Sequence, residues 1–72
     1  MTEKEKIALL EDMLELESGT LNLDTELSSI EEYDSMAKLS LIVLMDDEFN
    51  KKLTGEQIRM FKTVGDILAF MN

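Results

Sequence analysis

Seventy-two residues can enclose only one modest core, so a single domain over 1–72 is expected, and in chains below about 70–80 residues such cores rarely contribute more than about 3–5 kcal/mol. With no cysteine and no histidine, a disulfide framework, a thiolate metal site and the commonest general base are all excluded, and no enzyme is expected. Sixteen acidic against seven basic side chains give a net charge of −9, which opposes binding to nucleic acid or anionic membranes and favours partners with basic patches.

The first periodic segment predicts a helix from Glu3 to Glu17. Thr2 followed by Glu5 fits a capping box, each side chain satisfying a backbone donor of the other residue. Ile7, Leu10, Met13 and Leu14 share one face, with Glu11, Asp12 and Glu15 largely opposite. Ser18-Gly19 is expected to close this helix, the glycine taking the left-handed conformation. The charged start Thr2-Glu3-Lys4-Glu5-Lys6 does not read as a signal peptide, and no apolar run approaches the ~20 residues of a membrane span. A soluble, cytoplasmic monomer is therefore expected.

From Thr20 to Tyr33 the periodicity fails, which predicts a long loop held over the core by Leu21, Leu23, Leu27 and Ile30. A second helix is expected from Ser35 to Asn50 with Asp34 as its N-cap. Leu41, Ile42, Met45 and Phe49 group on one side as its core face; Met36, Leu39 and Val43 group on the other, beside Ser40 and Asp47. One core cannot cover both sides, so the second strip should be exposed and suited to docking a partner. Thr54-Gly55-Glu56-Gln57 opens a short third helix carrying Ile58 and Phe61. Thr63, with Asp66 at the third position, caps a last helix that buries Val64, Ile67, Leu68 and Met71. The sum is an all-α fold: a four-helix bundle of three longer helices and one short one, with a long loop between the first two.

Tyr33-Asp34-Ser35-Met36 resembles the acyl carrier protein family, which attaches 4′-phosphopantetheine to the serine of an Asp-Ser-Leu or Asp-Ser-Met motif. Alone, the tripeptide is weak evidence, because many helices begin with Asp-Ser as a cap. Its surroundings strengthen the resemblance. The stretch Leu41 to Phe49, apolar and then acidic, looks like the family's second helix, and Leu53-Thr54-Gly55-Glu56 and Phe61-Lys62-Thr63-Val64 look like the openings of its third and fourth. Length, acidity and the long first loop agree. The resemblance implies a phosphopantetheine arm on Ser35, attached by a phosphopantetheinyl transferase; partner docking is expected through Asp34, Met36, Leu39, Val43 and Asp47. It implies partner enzymes that load and transfer acyl groups held as thioesters. An anionic phosphodiester suits a helix N-terminus.

Two departures narrow this expectation. Tyr33 stands where the family commonly has glycine, either packing the loop or shaping a partner's approach. Ala37, Lys38 and Ser40 stand where fatty-acid carriers usually have acids, which points to a specialised lipid, polyketide or surface-polysaccharide pathway. Sheltering an eight-carbon cargo inside the bundle would gain about 6 kcal/mol gross, whereas amino acids or short acyl groups need no cavity. The alternatives are an aminoacyl or peptidyl carrier and an unmodified acidic helical adaptor. An EF-hand starting at Asp46 would need glycine where Lys51 stands. A hydrolase has no base for Ser35.

Overall fold

Helix starts in this chain are set by side chains that satisfy the first backbone donors. A computed structural model describes residues 2–71, so the two end positions of the expected 1–72 domain lie outside the described residues. It contains α1 (Glu3–Met13), a 3₁₀ turn (Leu27–Ser29), α2 (Ser35–Phe49), α3 (Gly55–Met60) and α4 (Val64–Phe70). Reciprocal capping boxes open three of these helices, pairing Thr2 with Glu5, Thr54 with Gln57 and Thr63 with Asp66. The four α-helices form a small bundle in which α1 packs against α2 and α4. At about 1.5 Å per residue, the 15-residue α2 is about 22 Å long, close to the 27 Å longest dimension of the molecule.

The core draws on every segment. Leu41 and Met45 of α2 are wholly inaccessible, and they meet Leu10 of α1, Ile58 of α3 and Val64, Ile67, Leu68 and Met71 around α4. Ile42 and Phe49, expected on the same face as Leu41 and Met45, are half-buried and pack on its margin. Phe61 caps α3 rather than belonging to it, and its ring meets Phe70 edge to face at 5.9 Å. α2 runs to Phe49, in keeping with an expected end near Asn50, which is its left-handed cap at φ 52°.

The largest departure is at the end of α1, which stops at Met13 and not at Glu17. Glu15, at φ 60°, takes the left-handed position, so Ser18-Gly19 belongs to a later turn. The Glu15 amide bonds Asp12 O at 3.1 Å and the Leu16 amide bonds Glu11 O at 2.8 Å, the paired pattern of a Schellman terminus. Glu11, expected on the outward face, is 4% exposed. Its carboxylate accepts the Leu21 N–H at 3.0 Å, tying the returning loop to the helix it has just left.

That loop is fastened at its far end too. The amide of Leu27 bonds Lys62 O, that of Val64 bonds Thr25 O, and that of Gly65 bonds Leu23 O, at 2.9–3.0 Å. Leu21 and Leu27 are buried and Ile30 half-buried, as expected, but Leu23 is 38% exposed. Its carbonyl, not its side chain, does the holding. A Cβ on Gly65 would lie 3.1 Å from Leu23 O, so this approach favours a residue without a side chain.

The Asp66 carboxylate accepts the backbone N–H of Lys62 at 2.8 Å and of Thr63 at 3.1 Å. Those bonds, the Lys62 amide first, hold its pKa below the ordinary aspartate value. A carboxyl depressed by folding contributes stability above its unfolded pKa and loses it as pH falls through the folded one. Asp66→Asn should therefore melt below the wild type at pH 7, with the gap closing on acidification below the ordinary aspartate range. Paired thermal melts across pH check this; a gap that persists in acid would contradict it.

Candidate functional site

The start of α2 is fixed by the turn before it. After the 3₁₀ turn the Tyr33 N–H bonds Ile30 O at 3.1 Å, and Asp34 follows in extended geometry at φ −103°, ψ −168°. Asp34 Oδ1 then accepts the Ala37 N–H at 2.9 Å. Such a cap is worth about 1 kcal/mol, and it falls to Asp34 and not to Ser35. Ser35, first residue of the helix, is exposed. Its hydroxyl is left available for chemistry.

Beyond Ser35 the outer side of α2 is apolar. Met36 is 71% exposed, Leu39 58% and Val43 57%, at the three- and four-residue spacings that line one side of a helix. The strip runs about 10 Å from Met36 to Val43. Ser40, Asp46 and Asp47 are exposed along the same helix. All five residues expected to dock partners, Asp34, Met36, Leu39, Val43 and Asp47, thus lie at the surface.

The first turn of α2 carries no acid. Ala37, where an acid is usual, is buried at 8% exposure, so a carboxylate there would have been taken out of water. Lys38 is half-buried with its Nζ 5.6 Å from the centre of the Tyr33 ring, a cation over an aromatic face. Tyr33 is itself half-buried and packs against the core, which is the loop-packing role of the two considered for it. Met13, Leu14 and Glu15 at the end of α1, with Asp34, Met36, Ala37 and Ser40, bound a surface groove of about 300 Å³ beside Ser35. The sequence gives no sign of this groove, because it depends on the left-handed turn at Glu15.

A family model described as the phosphopantetheine attachment site matches residues 7–71, nearly the whole chain. The chain belongs to that family. Phosphopantetheine attachment domains hold 4′-phosphopantetheine as a prosthetic group, are modified by phosphopantetheinyl transferases and serve as carriers, not catalysts. No curated protein and no solved structure matches the chain. The residues present fit the family's group: an exposed serine hydroxyl at the start of a long helix, beside first-turn amides that lack intrahelical acceptors and favour an anion. Among the described residues no helix is long and apolar enough to cross a membrane, and no cluster of acidic side chains could hold a metal ion.

Proposed function

We propose that this protein is an acyl carrier whose Ser35 holds the phosphopantetheine arm, with acyl intermediates riding on the arm's thiol as thioesters. The observation that carries this reading is the placement of Ser35: exposed, relieved of capping duty by Asp34, and at one end of an exposed apolar strip. In the loading reaction the Ser35 Oγ forms a bond to the phosphorus of coenzyme A's pantetheine phosphate. The pyrophosphate linkage breaks, adenosine 3′,5′-bisphosphate leaves with the electron pair, and the serine proton passes to a base on the transferase. This chain contributes the hydroxyl, a rigid helix to present it and first-turn amides to receive the charge.

Met36, Leu39 and Val43 would seat a partner enzyme over the arm, with Asp34 and Asp47 as the flanking acids. The absence of acids in the first turn of α2 supports a specialised lipid, polyketide or surface-polysaccharide pathway over ordinary fatty-acid synthesis. Incubation with a promiscuous phosphopantetheinyl transferase and coenzyme A should raise the intact mass by one arm. An unchanged mass, with the transferase shown active on a control carrier, would favour an unmodified adaptor acting through the apolar strip alone.

A further inference from the structure

The hydroxyl of Tyr33 is sealed from solvent and has no hydrogen-bond partner among the described residues. A tyrosine normally keeps that tip wet or bonded, and burying it alone is unfavourable. Burial also pushes the phenol's pKa up, so the group stays neutral. The ring is held from several sides. Its backbone N–H is bound to Ile30, its body packs on the core, and the Lys38 ammonium covers a face. The core on which it packs is closed to solvent, with Leu41 and Met45 at 0% exposure and Leu10, Val64 and Ile67 at 1%. The groove beside Ser35 and the apolar one floored by Ile42 and Leu53 both open at the surface.

We infer that Tyr33 is a plug at the foot of the arm, which keeps cargo outside the bundle and restricts the carrier to short or polar acyl groups. The inference rests on Ser35 as the attachment point. Tyr33 stands two residues before it and is the bulkiest side chain in that turn. A long alkyl chain gains by leaving water only if the interior admits it. Here the ring packs on the core two residues before the attachment point, and moving it would uncover the apolar surface on which it packs. A short or polar acyl group has little to gain inside and loses little by staying in solvent. Tyr33 touches no reacting atom, so its role is to set specificity by position.

The test loads acetyl- or octanoyl-phosphopantetheine from the corresponding acyl-coenzyme A, using a promiscuous transferase, and confirms each product by intact mass. Wild type, Tyr33→Phe and Tyr33→Gly are then melted in both forms. In wild type and Tyr33→Phe the acetyl and octanoyl forms should melt within about 1 °C of each other, while in Tyr33→Gly the octanoyl form should melt at least about 4 °C higher. A wild-type octanoyl form stabilised to that extent overturns the plug, as does a folded Tyr33→Gly with no difference between forms. If Tyr33→Gly does not fold, thioester cleavage by neutral hydroxylamine decides on the wild type. Equal rates for the two forms support exposed cargo, and a protected octanoyl thioester overturns it. Failure to add any arm refutes the attachment reading instead, and the mass measurement separates that outcome from the others.

Discussion

Ser35→Ala should abolish arm attachment completely while leaving the fold intact. The chain has five serines, and Ser18, Ser28, Ser29 and Ser40 are exposed as Ser35 is, so exposure alone does not select the site. Ser29 is engaged, its hydroxyl donating to Glu26 O, and Ser40 lies in the interior of α2, away from the first-turn amides. Because Asp34 supplies the cap, removing the Ser35 hydroxyl should change stability by no more than about 0.5 kcal/mol. Intact mass after transferase treatment, with a thermal melt of the same sample, gives both readouts. Ser40→Ala should accept the arm as the wild type does. If Ser35→Ala still gained an arm, the attachment point would lie elsewhere.

Glu11→Ala should be the most damaging single change outside the apolar core. The substitution leaves the Leu21 N–H without its acceptor and opens space where the side chain was buried. A buried donor stripped of its partner costs about 1–3 kcal/mol. At 0.05–0.15 kcal/mol per residue, a chain of this length has a total stability of only about 4–11 kcal/mol. The corresponding fall in Tm is roughly 5–20 °C. Glu11→Gln keeps a carbonyl oxygen in the same place and should recover most of the loss. Melts of the three proteins decide it: equal losses in the alanine and glutamine variants would mean that the acceptor is not what matters.

Glu11 also marks where the sequence stopped being readable. Helix starts were legible because caps are local: Thr2 with Glu5, Asp34 with the Ala37 amide, and Thr63 with Asp66 each act across three residues. The end of α1 was not, because two influences there have no local signature. Glu15 adopts a left-handed backbone that glycine or asparagine would ordinarily announce, at a cost of roughly 1–2 kcal/mol. Glu11 serves an amide ten residues on, so its burial could not be read from helical periodicity. Leu23 misled for a similar reason, an apolar residue whose carbonyl is the part in use. At the site, the motif and the two-sided α2 pattern placed Ser35 and the Met36–Leu39–Val43 strip correctly at the surface. The burial of Ala37 and the sealed Tyr33 hydroxyl arise from packing between segments, which neither motif nor period encodes.

The backbone bonds that fasten the first loop have a consequence in time. They join residues 23–27 to residues 62–65, about 40 positions further along the chain, and such distant pairings form late because a long stretch must be closed before they form. The loop ahead of α2 therefore lacks these three bonds during synthesis until residues 62–65 have been made, although the turn from Leu27 to Tyr33 keeps its own local ones. A transferase that recognises Ser35 on a settled helix would meet its substrate only after translation has passed α4. Arm attachment would then follow folding, and incompletely made chains would leave the coenzyme pool untouched.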